Sequence, residues 1–210
     1  GLEKYLEHIV LEGKEKTCGS YVELSAREIL PITRRLFEEK VSLVYDFKIS
    51  QIVEKEKHLL IYGEVGAGKT ITLKWLSTIY ARDYLRRKEG FIPIYISLGS
   101  YVTGPFYDYL KVKARKKGIS EVDLKRLLKG KALLLLDGLD MLALSDNFFP
   151  FEEISDFISE YENCKYVIAS RPGPFDSIKS SFAVCELETL TDEKVKEFVG
   201  KSVPNKRQAK

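Results

Sequence analysis

The feature that most constrains this chain is a short apolar run that breaks into a glycine-rich turn. Residues 59–62 are apolar and have the length of a β-strand, and the residues that follow read Gly63-Glu64-Val65-Gly66-Ala67-Gly68-Lys69-Thr70. They satisfy the pattern G-x-x-x-x-G-K-[ST], and a helical pattern comes next. Glycines let backbone N–H groups converge on phosphate oxygens, and the N-terminus of the helix adds partial positive charge. The pattern therefore predicts a loop that binds the phosphates of a nucleoside triphosphate.

The residues at the end of this loop have expected roles of their own. Lys69 would reach the β- and γ-phosphates, and the hydroxyl of Thr70 would hold Mg²⁺. The residues expected to bind the nucleotide are Gly63, Glu64, Val65, Gly66, Ala67, Gly68, Lys69, Thr70 and Ile71. The alternative, a glycine turn that only starts a helix, does not account for the acidic strand that follows later in the chain.

That second strand is apolar and ends in an acidic residue. Residues 133–136 are four consecutive leucines, which suit a strand buried on both faces of a parallel sheet, and Asp137 follows them. Open sheets bind ligands at the carboxyl ends of their strands, so we expect Asp137 to hold Mg²⁺, directly or through water. Asp140 could orient or deprotonate the attacking water. The alternative is that Asp137 and Asp140 only form a turn.

An arginine follows the next predicted strand directly. Residues 165–170 read as a strand, and Arg171 comes after them. A guanidinium at that edge could donate hydrogen bonds to the γ-phosphate, sensing it or stabilising the transition state. The alternative is an ion pair between Arg171 and a nearby acid.

Strands alternate with helical patterns along the chain, which predicts a mostly parallel sheet with helices on both faces. The remaining predicted strands span 91–98 and about 182–185, and Pro93 places the first of these at a sheet edge because proline cannot donate a ladder hydrogen bond. The predicted helices span 2–12, 42–56, 69–88, 105–117, 120–130, about 151–161 and 192–200.

Composition agrees with one α/β domain. The chain has 210 residues, of which 44% are hydrophobic and 31% charged, and its net charge of +3 is too small to argue for nucleic acid. No apolar run is long enough to span a bilayer, and no signal peptide opens the sequence.

Cys18, Cys164 and Cys185 show no metal spacing and indicate reduced thiols in a cytoplasmic protein. His8 and His58 match no ligand or catalytic pattern.

Basic residues concentrate on the two helices predicted over 105–117 and 120–130 and directly after the second. They are Lys111, Lys113, Arg115, Lys116, Lys117, Lys125, Arg126, Lys129 and Lys131. A solvated surface is the favoured interpretation, because charge runs usually solvate a helix face. An oligomer contact or a nucleic-acid patch is the alternative.

Three of these segments together resemble the nucleotide motifs of NACHT domains, which belong to the STAND class of signalling P-loop NTPases. They are residues 63–70, 133–140 and 167–172, and they occur in the order of that family. The segments 21–24, before the loop, and 187–193, near the end, also resemble the segments that flank these motifs in that family. The resemblance therefore covers most of residues 20–200.

The resemblance implies a three-layer P-loop NTPase fold whose five-stranded sheet has the order 5-1-4-3-2. It also implies that Asp137 is the Mg²⁺ residue and that Arg171 senses the γ-phosphate. Members of the family commonly carry an acidic pair at the positions of Asp140 and Met141, so Met141 predicts slow hydrolysis. The winged-helix segment that usually follows is absent from this sequence, which we expect to be a nucleotide-binding core.

We therefore expect a helical extension over residues 1–50 packed on the core, an NTPase domain over 51–203 and a disordered tail over 204–210. The expected function is a switch that binds Mg²⁺ and ATP, hydrolyses it slowly to ADP, and changes conformation or self-association with its nucleotide state. GTP stays open as the nucleotide. One alternative is an AAA+-like motor or loader acting on nucleic acid or protein clients; Gly138, where motors usually carry a catalytic glutamate, favours the switch. A second alternative is a domain that binds nucleotide without hydrolysing it.

Overall fold

The structure is a computed structural model that describes residues 1–16, 24–29, 46–142, 150–172, 182–187 and 196. The predicted tail over 204–210, the predicted helix over 192–200 except residue 196, and Cys18 lie outside the described residues. Within the part of the chain that is described, no helix combines the length and the apolarity needed to cross a bilayer.

Helices and strands alternate through most of the described chain. The helices are α1 (Leu2–Lys16), α2 (Ile49–Lys55), α3 (Lys69–Arg87), α4 (Phe106–Lys116), α5 (Glu121–Leu127) and α6 (Pro150–Glu160). The strands are β1 (Ser25–Ile29), β2 (Asp46–Lys48), β3 (His58–Tyr62), β4 (Ile92–Ser97), β5 (Ala132–Asp137), β6 (Lys165–Ser170) and β7 (Ala183–Leu187). Single 3₁₀ turns follow β4 at Leu98–Ser100 and β5 at Leu139–Met141.

The strands form one sheet in the order β2-β1-β7-β3-β6-β5-β4. The five strands from β7 to β4 are parallel to one another. Counted along the chain from β3, their order is 5-1-4-3-2, which confirms the predicted topology. Strand β4, which contains Pro93, lies at the edge of the sheet as predicted.

Two antiparallel strands extend the sheet beyond the five that the sequence predicted. Strand β1 pairs with β7, with Ala26 opposite Leu187, and β2 pairs with β1. This pairing satisfies backbone groups that β7 would otherwise expose at an open edge. The predicted helix over 42–56 is therefore shorter, because Asp46–Lys48 is a strand and the backbone N–H of Lys48 donates to Oε1 of Gln51 at 3.2 Å, where α2 begins.

The core lies on both faces of the sheet, as the continuous apolar strands predict. Alternate residues of β5 point to opposite sides, so Leu134 and Leu136 join one apolar cluster and Leu133 and Leu135 the other. The first cluster includes side chains of α1, α4, α5 and α6, and the second includes side chains of α2 and α3. The architecture is a three-layer α/β fold in which the carboxyl ends of the parallel strands lie along one edge.

Helix α1 packs on the domain's own body, the first of the alternatives for its apolar face. It lies against α3, and its Tyr5 and Leu6 are buried. The hydroxyl of Tyr5 donates to the carbonyl oxygen of Pro93 at 2.8 Å, so α1 also contacts edge strand β4. Gly13 lies so close to α3 that an added Cβ would be 2.4 Å from Oγ1 of Thr78.

Candidate nucleotide-binding site

The glycine-rich loop joins the end of β3 to the start of α3 and has the backbone conformation that its glycines permit. Gly66 and Gly68 have φ values of +85° and +89°, a left-handed conformation that side chains with a Cβ rarely adopt. The N–H of Ala67 donates to the carbonyl of Glu64 at 3.1 Å, and the N–H of Thr72 donates to the carbonyl of Gly68 at 2.8 Å. The chain therefore turns sharply into the N-terminus of α3, whose first backbone N–H groups have no partner within the helix.

The side chain of Lys69 folds back over this loop. Its Nζ donates to the carbonyl oxygens of Gly63 at 2.5 Å and of Glu64 at 2.9 Å. Burial lowers the pKa of Lys69, and the positive charge of Arg171 adds to that effect, while Asp140 and Asp137 oppose it. The ammonium is thus held at the loop by neutral carbonyls, where the negative charge of a phosphate would stabilise it further.

Leu24, in one of the segments that resemble the regions flanking the NACHT motifs, packs against the loop at Gly68. It is buried, and a Cβ added to Gly68 would lie 3.0 Å from its Cδ1. Its carbonyl oxygen accepts a hydrogen bond from the N–H of Ile49 at 3.3 Å, which ties it to the start of α2. The loop is therefore supported by Leu24, the residue directly before β1.

The structure brings the two predicted metal residues together. Thr70 lies in the first turn of α3 and Asp137 at the end of β5, and Oγ1 of Thr70 donates to Oδ2 of Asp137 at 2.8 Å. A second hydroxyl reaches the same oxygen, because Oη of Tyr95 donates to Oδ2 of Asp137 at 2.7 Å. Burial raises the pKa of Tyr95, and the hydrogen bond to Asp137 raises it further, so the hydroxyl stays protonated as a donor.

These residues fit a magnesium ion. Mg²⁺ prefers oxygen ligands and usually takes one or two from the protein and the rest from phosphate and water. A threonine hydroxyl has one proton and two lone pairs, so Thr70 can keep its hydrogen bond to Asp137 while its oxygen binds a cation. Among the described residues, no cluster of three or more His, Cys, Asp or Glu side chains offers an all-protein cage. A cation at Thr70 and Asp137 would therefore complete its coordination with nucleotide and water.

Asp140 and Arg171 are paired with each other. The backbone N–H of Arg171 donates to Oδ1 of Asp140 at 3.0 Å, and Nε of Arg171 donates to Oδ2 at 2.5 Å. Burial alone would raise the pKa of Asp140, but the hydrogen bonds and the charge of Arg171 outweigh it, so the pKa lies below its ordinary value. The ion pair that the sequence analysis gave as the alternative for Arg171 is present, and both oxygens of Asp140 accept hydrogen bonds from that residue.

Met141 follows at the end of the same turn and brings no charge to the site. The residue is 61% exposed, and its side chain lies against two glycines. A Cβ added to Gly99 would be 2.9 Å from Cε of Met141, and one added to Gly138 would be 2.9 Å from its Sδ. The position at which the family resemblance implies a second carboxylate is thus occupied by an apolar side chain above the carboxyl ends of β4 and β5.

Several basic residues of α4 and α5 pair with acids on the same helix. Nζ of Lys111 lies 3.0 Å from Asp108, Nζ of Lys125 lies 3.1 Å from Glu121, and Arg126 pairs with Asp123. Nζ of Lys113 donates to Oγ of Ser100 at 2.7 Å. These contacts agree with the solvated surface that the sequence favoured.

The two histidines and the described cysteines lie away from the loop. His58 stacks on Phe182, with ring centroids 5.2 Å apart, and His8 lies 3.8 Å from Glu12 on α1. The side chains of Cys164 and Cys185 are buried thiols. None of these side chains contributes to the arrangement around Asp137.

Comparison with known families identifies the domain. The family model described as the NACHT domain matches residues 57–206, more than half of the chain. This chain belongs to the NACHT family. It is therefore a nucleotide-binding P-loop NTPase domain, and the matched range contains the loop, Asp137, Asp140 and Arg171. No curated protein matches the sequence.

Solved structures similar to this NACHT domain include three of the replication initiator DnaA. DnaA from Aquifex aeolicus with bound AMPPCP is 20% identical with a TM-score of 0.47, covering 72% of this chain and 49% of that one. Domain III of DnaA from Thermotoga maritima is 18% identical with a TM-score of 0.47, covering 72% and 64%. DnaA bound to AMPPCP and single-stranded DNA is 21% identical with a TM-score of 0.47, covering 75% and 51%. The chain thus spans about half to two thirds of the length of these DnaA chains.

Proposed function

We propose that this NACHT domain is a switch that binds Mg²⁺ with ATP, hydrolyses the ATP slowly and signals its nucleotide state by a change of conformation or self-association. The observation that carries the proposal is the hydrogen bond of 2.8 Å between Thr70 and Asp137. It joins the end of the phosphate-binding loop to the acidic end of β5, which is where a metal-bound triphosphate needs both groups.

Each residue of the loop has a part in this proposal. The carbonyls of Gly63 and Glu64 now accept the hydrogen bonds of Lys69, and phosphate oxygens would replace them as partners of the ammonium. The backbone N–H groups at the start of α3 would bind the same phosphates, with Thr70 and Asp137 holding the Mg²⁺. When bound, the metal ion neutralises charge on the phosphates.

Arg171 is proposed as the group that distinguishes triphosphate from diphosphate. It follows β6, which pairs with β3 so that Ser170 lies opposite Tyr62, the residue before the loop. Its guanidinium is half exposed, and Asp140 already holds it. A γ-phosphate would compete with Asp140 for this guanidinium, so triphosphate binding would disturb the turn Leu139–Met141 as well as the loop.

The geometry supports slow turnover. Asp140 is a weak base because its pKa is lowered, and both of its oxygens already accept hydrogen bonds from Arg171. Met141 supplies no second carboxylate. These observations also favour the second candidate function, a domain that binds nucleotide and releases no phosphate.

The backbone at Gly138 argues against a fast motor. Its φ is +84°, and a residue with a Cβ in this left-handed conformation is strained by about 1–2 kcal/mol. A catalytic glutamate directly after Asp137 would therefore carry this strain or need a different backbone conformation in the turn. The proposed switch needs no such residue.

Analysis of the nucleotide that co-purifies with the protein, followed by calorimetric titration, tests the proposal. We expect retained diphosphate, Mg²⁺-dependent binding of a non-hydrolysable triphosphate, and a preference for the adenine over the guanine nucleotide. A wild-type protein that binds neither triphosphate in Mg²⁺ would overturn the assignment of the site. Bound triphosphate with no phosphate release over hours would select the non-hydrolysing candidate.

A further inference from the structure

Tyr95 contacts Asp137 from a neighbouring strand, although no nucleotide motif includes it. It lies on edge strand β4 and pairs with Leu135, two residues before Asp137 on β5. Side chains two residues apart on a strand share a face of the sheet, so Tyr95 and Asp137 project to the same side. From there the Tyr95 hydroxyl reaches Oδ2 of Asp137 at 2.7 Å.

The ring of Tyr95 is held by groups other than Asp137. It packs against the apolar cluster between the sheet and α3, and Nζ of Lys74, from α3, lies 5.8 Å from the ring centroid. Nζ of Lys117, at the end of α4, lies 5.7 Å from the same centroid. Both distances lie within the range of cation–π attraction. Two helices therefore restrain the ring that carries the hydroxyl.

The oxygen that accepts from Tyr95 also accepts from Thr70 at 2.8 Å. Two hydroxyl donors on one oxygen restrict rotation of the carboxylate, since turning it would break both hydrogen bonds. Such partners of a metal-binding residue set its orientation before the metal arrives. Thr70 belongs to the first turn of α3, whereas Tyr95 belongs to the sheet, so the two hydroxyls reach Asp137 from separate elements.

We propose that Tyr95 is a positioning residue for Asp137, and that its hydroxyl sets the affinity of the site for the Mg²⁺ that accompanies a nucleotide. The inference rests on the proposed function, because it concerns the metal of that site. Loss of a partner of this kind costs metal sites about 10–100-fold in affinity. The ring alone cannot replace the hydroxyl, so Tyr95→Phe removes the hydrogen bond while it keeps the packing and both cation contacts.

The test is a Mg²⁺ titration of triphosphate binding to the wild-type domain and to Tyr95→Phe. We expect the variant to need about tenfold more Mg²⁺ for half-maximal binding of a non-hydrolysable triphosphate, and to recover wild-type affinity at saturating Mg²⁺. Diphosphate binding in EDTA uses the loop without the metal, so it should be equal for both proteins. An unchanged or lower Mg²⁺ requirement overturns the inference, and so does an equal loss of diphosphate binding in EDTA, which would mean general damage to the loop.

Tyr5→Phe is the matched control. It also removes one tyrosine hydroxyl bonded to β4, since Tyr5 donates to the carbonyl of Pro93 on that strand. We expect it to lower the melting temperature and to leave the Mg²⁺ requirement unchanged. An equal rise of the requirement in both variants would assign the effect to the stability of β4 and overturn the inference. Failure of the proposed function looks different, because the wild-type domain would then show no Mg²⁺-dependent binding.

Discussion

Arg171 donates to both carboxylate oxygens of Asp140, with its backbone N–H 3.0 Å from Oδ1 and its Nε 2.5 Å from Oδ2. The pair joins the end of β6 to the turn after β5 across 31 residues of sequence. Each residue has a separate expected role from the sequence, Arg171 as the γ-phosphate sensor and Asp140 near the attacking water. Their pairing makes those roles dependent on each other.

Arg171→Ala should weaken triphosphate binding and leave diphosphate binding nearly unchanged. A charge-assisted hydrogen bond contributes about 1.5–3 kcal/mol, or roughly 10–150-fold in affinity. Because the guanidinium would exchange Asp140 for a phosphate, we expect the lower end of that range, about tenfold. Dissociation constants for a non-hydrolysable triphosphate and for the diphosphate measure it. Equal losses for both ligands would mean that Arg171 only supports the fold through Asp140.

The stability contributed by Asp140 should depend on pH. Its pKa is lowered in the folded state, against about 3.9 in an unfolded chain, so the charged form stabilises the fold. That stabilisation is fully present well above pH 3.9 and is lost as the pH falls through 3.9 towards the folded-state pKa. Melting curves should therefore show Asp140→Asn below wild type at pH 7, with a difference that shrinks in acid. Asp108→Asn removes an exposed partner of Lys111 and should change little at either pH. A constant difference for Asp140→Asn would contradict the expectation.

Lys69→Ala and Thr70→Ala should separate the phosphate and metal contributions to binding. Lys69 is placed for the phosphates, so its loss should weaken triphosphate binding about tenfold or more both in Mg²⁺ and in EDTA. Thr70 is placed for the metal, so Thr70→Ala should lose affinity only in Mg²⁺, and Thr70→Ser, which keeps the hydroxyl, should bind like wild type. Calorimetric titration in both buffers measures this. If both alanine variants bind triphosphate in Mg²⁺ with wild-type affinity, the loop is not the nucleotide-binding site.

Much of the fold could be predicted because its signals are local. Gly66 and Gly68 permit the left-handed backbone conformation that a tight phosphate-binding loop needs, and both have positive φ. The leucines of β5 indicate a strand buried on both faces, and Pro93 excludes a central position for β4. The sheet order followed from the family resemblance rather than from any single residue, and the structure confirms it.

The contacts that the sequence did not predict depend on how distant segments meet. Tyr95 reaches Asp137 only because β4 and β5 pair with Tyr95 opposite Leu135, and a sequence pattern does not specify that register. Strand β2 is three residues long and directly precedes a helix. So short a strand shows too little alternation of apolar and polar residues to be separated from the helix predicted over 42–56. The roles of the site residues and the domain boundary at residue 51 stay predictions.

Turnover should respond to a carboxylate at position 141. We expect the wild-type domain to hydrolyse ATP well below the ~10 s⁻¹ median of enzymes, and Asp137→Asn to abolish what remains. Met141 is 61% exposed, so a charged side chain there meets little desolvation cost. If a missing second carboxylate limits the rate, Met141→Glu should raise turnover about tenfold or more, and Met141→Gln should not. Phosphate release under single-turnover conditions measures the rates, and rapid client-free release by the wild type would favour a motor.

The packing of α1 on α3 gives a prediction about stability. Gly13 lies within helix α1, where alanine would ordinarily be favoured by about 1 kcal/mol. Here the added methyl would lie 2.4 Å from Oγ1 and 2.5 Å from Cγ2 of buried Thr78, closer than atoms can approach. Overpacking of this kind costs about 1–3 kcal/mol, so we expect Gly13→Ala to lower the free energy of unfolding despite its helix propensity.

A double-mutant cycle distinguishes this clash from any other effect of the substitution. Thr78→Ala removes the two nearest atoms that the Gly13→Ala methyl would meet and leaves only Cβ of residue 78, at 3.0 Å. It also removes the hydrogen bond of 3.0 Å from Oγ1 of Thr78 to the carbonyl of Lys74. Gly13→Ala should therefore destabilise the wild-type background and become neutral or stabilising in the Thr78→Ala background, with a coupling energy of at least about 1 kcal/mol. Denaturant unfolding of the four proteins measures it. Additive effects would mean that α1 moves away from α3 at little cost, so that the close contact at Gly13 contributes nothing to holding the N-terminal helix on the domain.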